Sequence, residues 1–148
     1  MDSIDRKILQ ALQGDATLSL ADLSELANLS RSACWRRLKN LEETGVIKDR
    51  VTLLNPAAVG LLLTVFISIR TNQHTAKWAT RFNDVVTGIP GIMEVYRMGG
   101  DVDYLIKAVV NDMGDYDRLY QELIEAELSD VSAGFVMEEI KATTALPL

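Results

Sequence analysis

The apolar residues of this chain follow one period before residues 55–60 and a different period after them. Upstream they recur every three to four residues, as on one face of an α-helix. Downstream, short runs alternate apolar and polar side chains, as half-exposed β-strands do. Between the two patterns, Pro56 can start a helical turn and Gly60 can end it. The sequence therefore predicts two domains, residues 1–54 and 61–148, joined by a hinge at residues 55–60.

The composition limits the class of protein. Of the 148 residues, 48% are hydrophobic and 24% are charged, as in ordinary globular domains. The apolar run at 61–69 is far shorter than the roughly 20 residues that span a bilayer, and residues 1–5 lack the pattern of a secretion signal. A single cysteine excludes an internal disulfide and a cysteine-based zinc site. We therefore expect a cytoplasmic protein without a metal or a cofactor.

Two short helices are predicted at the start of the first domain. In residues 2–13, apolar side chains recur every four positions, and Gly14 follows them. Ser19 and Asp22 then have the spacing of a capping box, in which Asp replaces the usual Glu or Gln, before a second apolar stripe. Only residues 28–29 separate that stripe from the next segment. The second and third helices are therefore expected to be joined by a tight turn.

The third predicted helix begins after Ser30, a suitable N-cap, and ends before Gly45, where a left-handed residue can terminate it. At 100° per residue, Cys34, Leu38 and Leu41 fall on one narrow arc. The opposite arc is polar and basic: Ser32, Arg36, Lys39 and Asn40. Two short helices joined by a tight turn, the second basic on its outer face, are typical of a helix-turn-helix.

A strand is predicted directly after the third helix. Residues 46–53 are rich in β-branched side chains that alternate with charged ones, as in a half-exposed strand. In this position the strand would form the wing of a winged helix-turn-helix.

The distribution of charge supports DNA as a partner of the first domain. The net charge of the chain is −6, but residues 1–60 are neutral, residues 61–148 carry all of the excess, and residues 30–50 carry +3. Acidic residues near a groove would repel phosphate, and here they are concentrated in the other domain. Because affinity rises with the number of phosphates neutralised, one such module binds weakly, and two or more copies are expected to act together.

Candidate DNA-binding residues come from the third helix and the segment after it. They are Ser30, Arg31, Ser32, Arg36, Arg37, Lys39 and Arg50. Those on the outer arc can pair with base edges or hold phosphate, and Arg31 and Arg50 can hold phosphate. Arg37 lies near the buried edge, from which it can reach phosphate or a carboxylate.

The same segment leaves two alternatives open. A basic helix face can simply be solvated, and only the preceding helix and tight turn favour DNA binding over that interpretation. Trp35 lies between the two arcs, where it can pack beside the wing or contact the sugar-phosphate backbone. Cys34 on the apolar arc is expected to be a core residue and not a redox sensor.

The second domain contains six predicted elements. Strands and helices alternate in the order βαββαβ: a strand at 63–69, a helix at 75–87, strands at 92–98 and 103–110, a helix at 116–124 and a strand at 131–140. This order is that of the ferredoxin-like split βαβ fold, in which two helices cover one face of an antiparallel sheet. The predicted fold class is therefore α+β, a winged helix-turn-helix followed by a ferredoxin-like βαββαβ domain.

The other face of this sheet is predicted to be partly apolar. It would carry Thr64, Phe66, Ser68 and Tyr96, together with Phe135 and Met137 or their neighbours. One subunit cannot cover such a surface, so we expect a homodimer that packs sheet on sheet and doubles the helix-turn-helix.

These features together resemble the Lrp/AsnC family of bacterial and archaeal transcription regulators, and the similarity runs from end to end. The segments that carry it are Ile4–Leu9, Leu29–Leu38, Leu41–Ile47, Leu54–Pro56, Gly100–Leu105 and Glu139–Leu148. The resemblance implies a ligand-responsive DNA-binding regulator whose C-terminal domain forms dimers, often octamers, and binds an amino acid between subunits near the β-hairpin.

The resemblance also assigns an effector site. It places Met98, Gly100, Asp101, Asp103, Tyr104, Ser132 and Gly134 at the pocket. A glycine turn exposes backbone donors to a carboxylate, and an aspartate can accept hydrogen bonds from an α-ammonium group. Val102 stands where the family commonly has tyrosine, which leaves the effector open. By its chemistry alone, the same turn could be an ordinary hairpin turn.

Other functions predict different behaviour. An architectural DNA-binding protein would bind broadly and respond to no effector. A ferredoxin-like small-molecule-binding protein or enzyme would need a nucleophile with its base, or a set of metal ligands, and the second domain has neither pattern. We therefore expect no enzymatic activity.

Overall fold

Three short helices build the N-terminal unit of the computed structural model, which describes all 148 residues. Helix α1 spans Ser3–Gly14, α2 spans Leu20–Leu26 and α3 spans Arg31–Glu43. Their apolar faces enclose a small core of Ile8, Leu23, Ala27 and Cys34. Burial raises the pKa of the Cys34 thiol, which disfavours the reactive thiolate and agrees with a core role.

Local side-chain signals fix the ends of these helices as the sequence predicts. The backbone N–H of Asp22 donates to the Ser19 hydroxyl at 3.2 Å, and the backbone N–H of Ser19 donates to the Asp22 carboxylate at 2.9 Å. At the start of α3, the Ser30 hydroxyl accepts from the backbone N–H of Ala33. Just after α3, Gly45 has φ +72°. The predicted capping box, N-cap and left-handed terminator are all confirmed.

The predicted wing strand at 46–53 is wrong, because residues 46–54 form no strand in this chain. A strand is stabilised by backbone hydrogen bonds to a neighbouring strand, and the N-terminal unit offers no second strand. Val51, Leu53 and Leu54 are 67%, 67% and 69% exposed. The β-branched pattern is present, but within one chain it has no partner.

A single 3-10 turn, Pro56–Val59, follows this segment. The Asn55 side chain accepts from the backbone N–H of Ala57, and Gly60 ends the turn with φ +86°. The chain forms two compact units, Met1–Leu53 with Ile140–Leu148, and Leu54–Glu139. The last residues of the chain, which the sequence analysis included in the second domain, pack with the N-terminal unit in this structure.

The C-terminal unit has the expected βαββαβ order. Its elements are β1 (Leu63–Arg70), α4 (Ala76–Gly88), β2 (Ile92–Arg97), β3 (Tyr104–Val110), α5 (Met113–Leu123), a 3-10 turn (Ile124–Ala126) and β4 (Asp130–Phe135). The sheet has the order β2-β3-β1-β4, with every neighbouring pair antiparallel. None of the helices in the chain is long and apolar enough to cross a membrane.

Both helices cover one face of the sheet and form the main core with it. From β1, Val65, Ile67 and Ile69 are completely buried, and Phe82 of α4 is buried against them. The indole N–H of Trp78, also on α4, donates to the backbone carbonyl of Ala126 at 2.9 Å, so this buried polar group is satisfied.

The last strand differs from the prediction in its length and in the side of the sheet on which Phe135 lies. It ends at Phe135 and not at residue 140. Phe135 pairs opposite Val65 and packs edge-on against Tyr116 with ring centroids 5.0 Å apart, so it lies on the helix side of the sheet. Its neighbour Gly134 lies on the opposite face, as the alternation along a strand requires.

Candidate DNA interface and effector site

The outer face of α3 presents the cations that the sequence predicts. Arg31, Ser32, Arg36 and Lys39 are all exposed. Neither Arg31 nor Arg36 takes part in an ion pair within the chain. Both guanidinium groups are therefore available to an external anion or base edge, to which arginine can donate two parallel hydrogen bonds.

The N-terminus of α3 adds a second anion-binding feature. The hydroxyl groups of Ser30 and Ser32 lie 3.2 Å apart, and the Ser30 hydroxyl caps the helix. The first backbone N–H groups of a helix carry partial positive charge and are well suited to phosphate. This end of α3 can therefore hold the DNA backbone while the outward side chains enter the groove.

Arg37 has a different environment from the rest of the candidate set. Its Nη1 donates to Oδ2 of Asp2 and to Oδ1 of Asp5, both at 2.7 Å. The hydrogen bonds that Arg37 donates to Asp2, the larger cause, and to Asp5 raise the pKa of Arg37. Of the two partners that the sequence leaves open for this side chain, the structure contains the carboxylate. This placement does not support Arg37 as a DNA contact, because its guanidinium joins α3 to the start of α1.

Two further cations are paired, but weakly. Arg50 contacts Glu42 at 2.9 Å, and Lys39 contacts Glu43 at 3.6 Å, with all four side chains about half exposed. Exposed pairs of this kind contribute little free energy and are screened by salt. Phosphate groups can therefore compete for both cations, and the pairs do not exclude them from the interface.

Trp35 is a feature of α3 that the sequence reasoning left unresolved. Its side chain is 53% exposed, and the ammonium of Lys39 lies 5.1 Å from its ring centroid. The ring therefore packs beside no wing strand in this chain. Helical periodicity places Trp35 on the flank of the buried arc, so only the observed exposure reveals that it belongs to the outer surface.

The β2–β3 hairpin forms the first part of the predicted effector site. The backbone N–H of Met98 donates to the carbonyl of Asp103 at 2.8 Å and closes the hairpin. Gly100 has φ +121° in open surroundings, so its backbone conformation, and not lack of space, favours glycine there. Asp101 at the tip is exposed. The tip therefore offers both backbone groups and a carboxylate to a ligand.

Arg70, which sequence reasoning missed, joins the hairpin to the last strand. Its Nε donates to the carbonyl of Asp101 at 2.9 Å, and its Nη1 donates to the carboxylate of Asp130 at 3.0 Å. The alternation along β1 could have revealed it. Arg70 lies on the same face of the strand as Phe66 and Ser68, at the end of β1 nearest the hairpin. This cluster places a cation beside Asp101, where a ligand with both charges could bind.

The remaining predicted residues lie on different sides of the sheet. Ser132 and Gly134 are exposed on the face that the helices leave open. Tyr104 instead lies on the helix side, with its ring centroid 4.5 Å from that of Phe82. Asp103 uses its carboxylate to accept from the backbone N–H of Thr71 at 2.8 Å. The structure therefore places Ser132 and Gly134 on the open face and Asp101 at the hairpin tip beside Arg70, whereas Asp103 supports the hairpin and Tyr104 supports the core.

A groove of about 600 Å³ lies on the helix side, between α4 and β2. Its walls include Asn83, Ile92, Arg97 and Tyr104. Of the residues assigned to the effector site, only Tyr104 contributes to it. The groove is therefore separate from the polar cluster around Arg70.

The open face of the sheet carries both apolar and polar side chains. Phe66 and Tyr96 are 41% and 50% exposed on it. On the same face, Glu94 of the edge strand β2 accepts hydrogen bonds from the Tyr96 hydroxyl and from the ammonium of Lys107. The Tyr96 hydroxyl is the larger cause of a lowered pKa of Glu94, and the same contact raises the pKa of Tyr96. The carboxylate is thus held ionised at the β2 edge of a partly apolar surface.

Comparison with known families agrees with this arrangement. Residues 1–48 match a winged helix-turn-helix DNA-binding model, and residues 64–146 match the Lrp/AsnC ligand-binding domain. The chain belongs to the Lrp/AsnC family. It is therefore a DNA-binding transcription regulator with a ligand-binding domain, and not an enzyme.

Relatives of this Lrp/AsnC regulator match it over almost their whole length. A glutamate uptake regulatory protein from Zymomonas mobilis is 50% identical, with 100% of this chain and 91% of that protein covered. The crystal structure of an AsnC-family regulator from Agrobacterium tumefaciens has a TM-score of 0.94 at 51% identity, covering 99% and 97% of the two chains. A regulator from Neisseria meningitidis, solved in complex with L-Met, has a TM-score of 0.92 at 34% identity, covering 99% and 96%.

Proposed function

We propose that this regulator is a homo-oligomer that binds DNA in a sequence-specific manner and is controlled by an amino acid bound between C-terminal domains. The observation that carries the proposal is the outer face of α3, where Arg31 and Arg36 are exposed without acidic partners. No carboxylate of the chain neutralises these two cations. They are therefore the groups of the helix-turn-helix that we expect to contact phosphate and base edges.

The DNA contacts divide into two classes. Ser32, Arg36 and Lys39 face the major groove, where arginine can pair with guanine. Ser30 and Arg31 at the start of α3, with Arg50 after it, hold the backbone phosphates. A dimer places two such helices about 34 Å apart, or at a multiple of that distance, which matches successive turns of one face of B-DNA.

Dimerisation follows from the open face of the sheet. Phe66 and Tyr96 expose apolar surface there, and a second copy of the same sheet would cover it symmetrically. A further association of dimers to octamers would use other surfaces of the C-terminal domain.

The effector proposal rests on the polar cluster at the hairpin end of this face. Arg70 can attract the α-carboxylate of an amino acid, and Asp101 can accept from its α-ammonium group. Ser132 and Gly134 lie on the same face and leave room for a small ligand. The L-Met complex of the Neisseria relative and the name of the Zymomonas relative, a glutamate uptake regulatory protein, support an amino acid as the class of ligand.

Binding between subunits would couple the ligand to DNA. An amino acid that prefers one oligomeric arrangement shifts the population towards it, and with it the spacing of the DNA-binding helices. Coupling of this kind is typically about 1–3 kcal/mol, enough to change occupancy of an operator severalfold to about a hundredfold.

A thermal-shift screen of the standard amino acids, followed by gel-shift titration with each ligand found, tests the proposal. A ligand that binds only the native protein raises its melting temperature. Asp101→Ala is expected to abolish that rise, whereas Asp117→Ala, which removes an exposed carboxylate of α5, is expected to retain it. If no amino acid alters either the melting temperature or the retardation of DNA, the effector proposal fails.

A further inference from the structure

The two tryptophans of this chain have opposite environments. Trp78 is 5% exposed, stacks on Phe82 with ring centroids 5.2 Å apart, and donates its indole N–H to the chain. Trp35 is 53% exposed, and its indole N–H donates to no group of the chain. The first is fully accounted for by the core. The second exposes an apolar ring and an unused donor on a helix that otherwise presents charge.

Trp35 also has a defined position among the cations of α3. Residues four apart on a helix are neighbours on its surface, so Arg31, Trp35 and Lys39 form one row. The Lys39 ammonium lies 5.1 Å from the indole centroid, a cation–π contact that restrains both side chains. When the two cations contact DNA, the ring between them is carried to the same surface.

The major groove offers one apolar group to such a ring. Among base edges, only thymine presents a methyl group there, and apolar side chains recognise thymine through it. The phosphates and the hydrogen-bonding atoms of the other base edges are polar, and the apolar deoxyribose carbons lie on the backbone outside the floor of the groove. In that groove, an exposed aromatic ring next to the groove-facing Lys39 is therefore complementary to a thymine methyl.

We propose that Trp35 packs against the C5-methyl of a thymine and makes the regulator prefer thymine at one position of each half-site. This inference rests on the proposed entry of α3 into the major groove and adds a specificity-determining residue to it. The cations on the same helix supply affinity and register, while Trp35 discriminates a base by shape and apolar contact.

The test uses a duplex that the wild-type protein selects from a random-sequence library. Each conserved thymine is replaced in turn by uracil, which removes only the methyl group and keeps every hydrogen-bonding atom. Loss of one buried methyl is expected to weaken wild-type binding about fourfold. Trp35→Ala is expected to bind the thymine duplex more weakly and to bind the thymine and uracil duplexes equally. Trp35→Phe keeps an aromatic ring and is expected to retain part of the preference for thymine.

Two controls separate this inference from the proposed function. Arg36→Ala is expected to weaken binding to both duplexes while it retains the preference for thymine. If Arg36→Ala binds as wild type does, the assignment of α3 to the groove fails. If Arg36→Ala weakens binding but Trp35→Ala still distinguishes thymine from uracil, only the Trp35 inference is overturned.

Tryptophan fluorescence supplies a readout that a merely structural role would not change. Trp78 is buried, so a DNA-dependent change in emission is expected to come from Trp35 and to be absent in Trp35→Phe. The melting temperature of Trp35→Ala is expected to stay close to that of wild type, because more than half of the side chain is exposed. If wild-type emission is unaffected by saturating DNA, or if all thymine-to-uracil replacements leave wild-type affinity unchanged, the inference is overturned.

Discussion

Arg37 and Asp2 form a charged hydrogen bond of 2.7 Å that joins the third helix of the N-terminal unit to the residue that caps the first. The same arginine nitrogen also contacts Asp5 at 2.7 Å, and Asp2 and Asp5 cap each other's backbone N–H groups. A capping box and an ion pair therefore share the same two carboxylates. The contact sets the position of α3 against α1, so Arg37 and its neighbour Arg36 have different roles.

Arg37→Ala is therefore expected to affect the stability of the N-terminal unit, and Arg36→Ala is expected to affect DNA binding. Arg37→Ala removes the partner of two carboxylates and is expected to lower the melting temperature of the N-terminal unit. Arg36→Ala removes an exposed cation and is expected to leave the melting temperature unchanged. It should weaken DNA binding by about 1–3 kcal/mol if it pairs with a base, or reduce the salt slope by about 1 if it holds phosphate.

Differential scanning calorimetry and gel-shift titrations at several salt concentrations measure the two effects. Arg37→Lys serves as the control for charge without the arginine geometry and is expected to restore part of the lost stability. A variant at Arg37 that melts as wild type does but loses the salt dependence of DNA binding would contradict the assignment.

The same contact predicts how stability depends on pH. A hydrogen bond from the backbone N–H of Asp5, and then one from Arg37, lower the pKa of Asp2 from its ordinary value of 3.8. A carboxylate with a lowered pKa in the folded state stabilises that state above the unfolded value, and the contribution is lost as the pH falls through the folded value. Asp2→Asn retains a good N-cap and removes only the charge.

The melting temperature of Asp2→Asn is therefore expected to lie below that of wild type near neutral pH. The difference should begin to shrink as the pH falls below 3.8, where the carboxylate of the unfolded chain becomes protonated, and should disappear below the lowered pKa of the folded state. Melting curves of both proteins over a pH series check this. A difference that stays constant on acidification would show that the charge of Asp2 is not its source.

Much of the fold could be predicted because its signals are local. Ser19, Ser30 and Gly45 act within one turn of the helices that they begin or end, so the sequence around them is sufficient. The strand predicted at 46–53 failed because a strand depends on a partner elsewhere. The packing of Ile140–Leu148 with the N-terminal unit has no local signal for the same reason, since its contacts are made with residues far away in the sequence.

The candidate site shows the same division. The outer arc of α3 followed from helical geometry, but the carboxylates that hold Arg37 lie more than thirty residues away and leave no local signal. Tyr104 could have been assigned correctly from alternation. It has the same parity as the buried residues Ile106 and Ala108, so it had to face the helices and not the open sheet.

Phe66 tests the proposed dimer. It is 41% exposed on the open face of the sheet, where a second sheet would cover it. Phe66→Lys is expected to convert the oligomer to monomers and to weaken DNA binding steeply, because each helix-turn-helix would then bind alone. Thr80→Lys adds the same charge on the exposed side of α4 and is expected to change neither property. Sedimentation velocity measures the oligomeric state of both variants, and gel-shift titration measures their DNA binding. An unchanged sedimentation coefficient for Phe66→Lys would place the interface elsewhere.

Gln13 tests how the end of the chain is held. Its side-chain amide donates to the carbonyl of Leu146 at 3.1 Å and accepts from the N–H of Leu146 at 2.6 Å, while Gln10 donates to the carbonyl of Leu148. Gln13→Ala is expected to release this segment at a cost of about 1–3 kcal/mol. Trypsin should then cleave after Lys141 faster than in wild type.

Loss of residues 142–148 can be followed by mass spectrometry in a limited proteolysis series. Gln121→Ala on α5 provides a matched control, because it removes an exposed glutamine whose side chain makes no hydrogen bond to the tail. Equal cleavage rates in wild type and Gln13→Ala would mean that the paired amide contacts do not protect the segment.

Arg70 makes the sharpest test of the effector site, because one guanidinium contacts both the hairpin tip and the last strand. If its charge attracts the carboxylate of an amino acid, Arg70→Gln should abolish the ligand-induced rise in melting temperature while the DNA affinity of the unliganded protein is retained. Arg81→Gln removes a guanidinium that is paired with Glu127 and is expected to keep the rise. Replacing the amino acid by its amide removes the ligand carboxylate, so wild type with the amide should behave as Arg70→Gln does with the acid. If Arg70→Gln still distinguishes acid from amide as wild type does, the carboxylate must bind elsewhere.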